Sequence, residues 1–349
     1  MANHAEIFDW VDSFVLLEGE QPLLEIAKAI RDGKSLDGIS NLIHRDENIR
    51  GICRNKKIAK KYYKIMCGIF VVFSKKGNPL PKKKCLLASN ELYNRGPDFF
   101  KYTFLRKKTL YISNNILSIT GKTNINKSVL FSKNKNFYIS FNGEIYNYET
   151  LCKSYLQKVK LTNDTTDTEI LINLYENLNS NLIPKLLNGM FAYVMYDKLK
   201  DKLTIVNDVQ GEKNLYYYDD DNILLISSTI QAILNFRKKF RINMEPIKNY
   251  FITRHFMPHN YTCFNDIKTF NTGSIIDYSL SNNNFKNTVY DNPYDWISEN
   301  KYLKYNKMKE QDLINYFDYE LNKQAKMMIS RPPREGSSGY PKEIFGENH

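Results

Sequence analysis

Residues 66–73 read Met66-Cys67-Gly68-Ile69-Phe70-Val71-Val72-Phe73. An apolar run with no alternation, rich in β-branched residues, predicts a strand buried on both faces. Working outward, Phe137-Tyr138-Ile139-Ser140-Phe141 is a second strand. Met190 to Tyr196 and Lys202 to Val206 flank the polar turn Asp197 to Asp201 and form a hairpin pattern. Amphipathic helix patterns fall between these strands at 83–93, 147–158, 167–178 and 181–187. Strands in runs with helices in runs imply a layered α+β architecture for residues 66–280.

The flanking segments differ. Residues 1–65 carry the apolar stretch Phe14 to Leu17 and a helical pattern with Leu23, Leu24, Ile26, Ala27 and Ile30 on one side, stopped by Gly33 and Gly38. They read as a small α/β extension, too short for a convincing core of its own. Residues 281–349 open as a polar, Asn-rich loop. A helix follows at about 308–328, with Leu313, Tyr316, Phe317, Leu321 and Met328 on one side. From Arg331 the chain has no periodicity and reads as an irregular tail.

Composition narrows the class. The 349 residues are 42% hydrophobic and 25% charged, with 15 Gly and 11 Pro, which excludes disordered and collagen-like chains. Fifty Lys and Arg against 38 Asp and Glu give a net charge of +12. Such a balance is open to a nucleic-acid or membrane partner. The basic residues are scattered in short clusters such as Lys82-Lys83-Lys84 and Arg237-Lys238-Lys239, with no arginine-rich segment or zinc-finger spacing. A solvated surface is the better reading, with no nucleic acid as partner. The longest uncharged apolar run, Met66 to Phe73, is far below the ~20 residues that span a bilayer, so no membrane partner is expected. The five cysteines, at 53, 67, 85, 152 and 263, are odd in number and lack C-x-x-C spacing. That argues against a disulfide framework or structural zinc and for a cytoplasmic location.

Three loop motifs could carry chemistry: Arg95-Gly96-Pro97-Asp98, Asn142-Gly143-Glu144-Ile145-Tyr146-Asn147 and Asp167-Thr168-Glu169. Asn-Gly after a strand serves a tight turn. It equally aims a side-chain N–H and a backbone N–H at one point, as a tetrahedral oxyanion requires. An arginine and a carboxylate converging from other loops would grip the two charged ends of an amino acid. Cys67 also has two readings. One is a small core residue at a strand start. The other is a nucleophile whose own α-amine, with a pKa of about 7.7–8.0 when free, serves as its base once Met66 is absent.

These motifs, with Gly189-Met190-Phe191-Ala192 and Leu215-Tyr216-Tyr217, occur in an order and spacing that resemble the class II glutamine amidotransferase domain of glutamine-hydrolysing asparagine synthetases. The resemblance covers roughly residues 67–280 and implies a four-layer αββα N-terminal-nucleophile hydrolase sandwich. It implies that Cys67 attacks the glutamine amide to form a glutamyl thioester, with Asn142 and Gly143 as oxyanion hole. Arg95 would hold the α-carboxylate and Asp167 the α-ammonium, with Glu144 lining the same pocket. No cofactor is implied for this half. ATP and Mg belong to the synthetase domain or subunit that accepts the ammonia, and the family suggests a homodimer.

Departures accompany the resemblance. Asn114 and Asn115 replace a basic stretch. Asn207-Asp208 stands in place of Arg-Asp, and Glu212 and Asn214 replace an apolar residue and a proline. These are expected to loosen the domain or its contact with the synthetase half without touching the catalytic set. The match stops near Ser330, before any phosphate-cradling loop, so a truncated synthetase domain without ATP binding is expected. Residues 11–31 faintly resemble the end of a cobalamin-binding domain. Residues 1–66 also block the amine of Cys67, so either they are absent from the working form or the chain is a non-catalytic amidotransferase-like domain. A sugar or peptide acceptor for the ammonia is a further alternative.

Overall fold

The computed structural model describes residues 13–15, 42–44, 67–117, 130–162, 165–253 and 260–329. The chain divides into two compact units, Met1–Tyr63 and Lys64–His349. In the first, β1 (Ser13–Val15) pairs antiparallel with β2 (Leu42–His44). The helix expected between them, the cobalamin-like stretch and the tail after Ile329 lie outside the described residues.

The second unit runs through β3 (Gly68–Ser74), α1 (Lys82–Asn90), β4 (Phe99–Leu105), β5 (Leu110–Ile116), β6 (Phe137–Ile145), α2 (Tyr148–Tyr155), α3 (Asp167–Asn177), α4 (Ile183–Leu186), β7 (Gly189–Asp197) and β8 (Lys202–Asn207). It continues through β9 (Tyr216–Asp219), β10 (Ile223–Ser227), α5 (Ile230–Phe236), α6 (Met244–Thr253), β11 (Ile267–Thr269), β12 (Ser274–Ser279), β13 (Asn284–Val289), α7 (Glu299–Asn306) and α8 (Glu310–Ile329). The strands form two antiparallel sheets, ordered β11-β9-β10-β3-β5-β4 and β13-β12-β8-β7-β6.

Two buried clusters fix the layers. One joins Ile69, Val71, Ile112, Ala192, Val194, Ile205 and Ile226 between the sheets. The other packs α2 and α3 on the second sheet through Leu151, Ile170, Leu174, Phe141 and Tyr193. On the far face of the first sheet, Phe70 meets Phe236 of α5 at 6.1 Å between ring centroids, and α1 packs on α5. Helix, sheet, sheet, helix is the expected four-layer order. β3 is apolar throughout because it has a covered face on either side: all seven of its residues are buried. Both cores lie wholly in the unit from Lys64 onward, so that unit carries what it needs to fold.

Local signals set the elements. Thr166 caps α3 by accepting the Glu169 N–H at 3.1 Å, a Thr-x-x-Glu start. In the β7–β8 hairpin, Asp197 Oδ1 accepts the N–H groups of Leu199 and Lys200 at 3.0 and 3.1 Å.

One expectation needs correction. The polar stretch after 280 is not a loop: β13 pairs with β12 along its length, so a boundary at 280 cuts a hairpin. Its Asn-rich composition reflects an exposed edge strand in which Phe285 alone packs on the inter-sheet core, against Tyr278 at 4.6 Å between ring centroids. The apolar stripe of α8 does predict the helix, but it is not buried: Phe317 and Leu321 are 66% and 57% exposed. No helix among the described residues is long and apolar enough to cross a membrane, and the four described cysteines are free thiols.

Candidate active site

Cys67 stands immediately before β3. A Cβ on Gly68 would lie 2.7 Å from Leu92 Cβ, on the helix side of the sheet. By the two-residue period of a strand, Cys67 and Ile69 therefore face the space between the sheets. The Leu117 N–H donates to Cys67 Sγ at 3.4 Å, and Arg95 Nε donates to Cys67 O at 3.4 Å. Arg95 is placed by the turn after α1, where the N–H groups of Arg95 and Gly96 share Leu92 O at 3.0 and 3.3 Å. A Cβ on Gly96 would stand 2.3 Å from the carbonyl carbon and oxygen of Asn115, so only glycine lets this turn lie against β5.

The Cys67 thiol is pushed up to about 11, chiefly by burial and also by the Asp167 carboxylate, against the Leu117 N–H and the Arg95 guanidinium, which lower it. Arg95 and Asp167 are thus both close enough to act on the sulfur. A thiol so placed is not a nucleophile near neutral pH without a base.

β6 is an edge strand, so alternate N–H groups point away from β7. Three of these are taken: Ile139 by Leu130 O at 2.9 Å, Phe141 by Asn114 Oδ1 at 2.7 Å and Ile145 by Asp167 Oδ2 at 3.0 Å. Gly143 belongs to the same outward set. Its opposite residue Phe191 turns both backbone groups to Asp208, and no acceptor meets the Gly143 N–H among the described residues. Gly143 has φ +143°, and a Cβ there would sit 2.1 Å from Met190 O, so the position requires glycine. Beside it, Asn142 is fully buried, and both atoms of its side-chain amide lack a hydrogen-bond partner. A buried polar side chain left open on both atoms is rare and calls for a reason.

Asp167 opens α3, and its Oδ1 also accepts the Thr168 N–H at 2.7 Å. Glu144, two residues beyond Asn142 on β6, is half-buried. The structure therefore gathers Cys67, Arg95, Asn142, Gly143 and Asp167 at one end of the inter-sheet space, with Glu144 at its margin. No group of three or more His, Cys, Asp or Glu among the described residues could hold a metal ion.

The departures at 207–214 adjoin this site, against expectation. The Asp208 carboxylate accepts the N–H groups of Phe191, Glu212 and Lys213 at 3.3, 3.0 and 3.0 Å, and Asn207 Nδ2 donates to Lys213 O at 3.1 Å. The segment is pinned rather than loosened. The buried Lys213 has its ammonium pushed below the usual lysine range by burial, with a smaller push from Arg95. Asn114 likewise ties the sheets together, its Oδ1 lying 2.7 Å from both Ser140 Oγ and Phe141 N. The sequence marks Asn207 only as a departure from Arg-Asp and does not mark Lys213. Only the pairing of β7 with β8 brings them to Arg95 and Asn142.

The sequence profile of the glutamine amidotransferase domain matches residues 66–291. The chain belongs to this amidotransferase domain family. The matched range runs past the end of β13. Asparagine synthetase B (glutamine-hydrolyzing) of Escherichia coli is 31% identical over 177 residues, 48% of this chain and 30% of that protein. Asparagine synthetase (glutamine-hydrolyzing) 1 of Bacillus subtilis is 28% identical over 214 residues, 60% of this chain and 33% of that protein. The chain thus spans about a third of the length of these curated relatives. Among solved structures, the glutamine phosphoribosylpyrophosphate amidotransferase of Bacillus subtilis aligns at 12% identity with a TM-score of 0.47, over 64% of this chain and 49% of that one.

Proposed function

We propose that the amidotransferase domain hydrolyses glutamine to glutamate and ammonia through a thioester on Cys67. The observation that carries the reading is the fully buried Asn142 amide without partners, next to the outward Gly143 N–H and on the inter-sheet side that Cys67 also faces. Two N–H donors held ready in a buried site stabilise a tetrahedral oxyanion without reorganisation. The sulfur bonds to the side-chain carbonyl carbon and the carbonyl pair moves onto oxygen. When that pair returns, the C–N bond breaks and the nitrogen leaves as ammonia, taking the proton given up by the thiol. Water then releases glutamate. Arg95 holds the α-carboxylate, Asp167 the α-ammonium and Glu144 the pocket wall. The base is the α-amine of Cys67, because an amide nitrogen joined to Met66 has no basic lone pair.

The named activity of the relatives supports delivery of the ammonia to a synthetase domain or subunit that makes asparagine; the cytosolic location, the homodimer and the use of ATP and Mg by that partner are our proposal for the wider setting. The test is a chain beginning at Cys67, assayed for glutamate release. Cys67→Ala in that chain abolishes it, and retaining Met66 does the same. Persistent release by Cys67→Ala refutes the nucleophile.

A further inference from the structure

Asn142, Ala192 and Asn207 lie in one row across the second sheet: Asn142 pairs with Ala192, and Ala192 with Asn207. Side chains in one cross-strand row point to the same face. Ala192 belongs to the inter-sheet core, so both asparagines face that space, and both are fully buried. The orientation of the Asn207 amide is fixed by its neighbour. The Lys213 carbonyl it touches can only accept, so the nitrogen end must face it. Asn207 Oδ1 is thereby turned the other way, where it has no partner.

Three side-chain atoms are therefore open in this row: one donor, Asn142 Nδ2, and two acceptors, Asn142 Oδ1 and Asn207 Oδ1. Strands about 4.8 Å apart put the two asparagine backbones about 10 Å from each other, with only the methyl of Ala192 between them. After each side chain has reached inward, the remaining span suits one small polar group. A primary carboxamide carries one acceptor oxygen and two N–H donors. Its oxygen can accept one N–H of Asn142 Nδ2, and its two N–H groups can reach the two open oxygens, Asn142 Oδ1 and Asn207 Oδ1.

We propose that Asn207 binds the leaving nitrogen of the glutamine side chain. Asn142 pairs with the scissile amide, Nδ2 on its oxygen and Oδ1 on one N–H, while Asn207 Oδ1 accepts the second N–H and holds it until the C–N bond breaks. Strand pairing places Asn207 at this site: it shares the row of Asn142 across Ala192, on the face that Cys67 also meets, and its Nδ2 holds the Lys213 carbonyl. The inference rests on the glutaminase reading and adds a group that recognises the amide as an amide.

The experiment compares glutamine with glutamate γ-methyl ester, whose leaving oxygen carries no N–H, in a chain beginning at Cys67. Asn207→Leu is expected to lower kcat/KM for glutamine about tenfold and to leave the ester within twofold. Asn207→Asp, which keeps an acceptor but loses the donor to Lys213, is expected to retain more of the amide preference than Asn207→Leu. An equal loss on both substrates would show that Asn207 only pins the 208–213 segment, and would overturn the proposal. So would unchanged glutamine turnover in Asn207→Leu. If the unsubstituted chain cleaves neither substrate, the glutaminase reading itself fails.

Discussion

Asn142 offers a test in which stability and activity move in opposite directions. Asn142→Leu replaces a fully buried, doubly unpartnered amide with an apolar group of similar size. Removing the desolvation penalty of an unsatisfied buried group is worth about 1–3 kcal/mol. In a unit of this length each 1 kcal/mol moves Tm by about 2–4 °C, so the full chain is expected to melt several degrees higher. The same change removes an oxyanion donor, which costs about 10²–10³ in kcat. Melting is followed by circular dichroism on the full chain, and glutamate release on the chain beginning at Cys67. A Tm that falls together with activity refutes the reasoning. It would mean that the amide is satisfied in the resting protein and serves the fold.

Two further outcomes are expected. With Met66 attached, burial holds the Cys67 thiol up to about 11, so its alkylation rate by iodoacetamide should climb about tenfold per pH unit from 7 to 10 without levelling. A plateau near pH 8 would contradict the burial. The sign for stability follows: the folded thiol holds its proton more tightly than the unfolded one, so its contribution is whole below pH 9, the ordinary value, and is lost as pH rises toward 11. Gly96→Ala places a methyl 2.3 Å from the Asn115 backbone, where no flexible side chain can yield. Urea unfolding should show a loss of about 1–3 kcal/mol, and KM for glutamine should rise as Arg95 shifts from Cys67; unchanged stability would refute the close approach.

The strands legible in the sequence are those buried on both faces, β3 and β7, and those next to them, β6 and β8. Burial leaves an unbroken apolar signature there. β4 and β5 are harder to see: Phe100 and Tyr102 of β4 face out, stacked on each other at 5.5 Å, and β5 carries Asn114 and Asn115 into the interior. β13 escapes because backbone pairing and the single apolar contact of Phe285 leave no alternating pattern. The helical period of α8 is readable, but periodicity reports an apolar face and not what covers it. Cys67, Arg95, Asn142, Gly143, Glu144 and Asp167 were nameable because each sits in a compact local motif. Asn207 was not, since its role depends on which strand lies beside β7.

That dependence also explains why the site lies where it does. Along the inter-sheet space the facing rows are apolar: Ile69, Val71, Ile112, Val194 and Ile205. Toward the end that holds Cys67 polar residues enter these rows: Asn114 opposite Ile69, Ser140 opposite Val194, and one step further Asn142 and Asn207 on either side of Ala192, all four of them buried. Asn114 and Ser140 satisfy each other and the backbone, whereas Asn142 and Asn207 keep atoms open. Polar groups in such a setting cost stability unless paired. A fold selected only for packing would continue the aliphatic rows to the end of the sheet. These polar positions show where packing gives way to a ligand, and the open Asn142 amide and Asn207 Oδ1 can pair with the oxygen and both N–H groups of a primary amide.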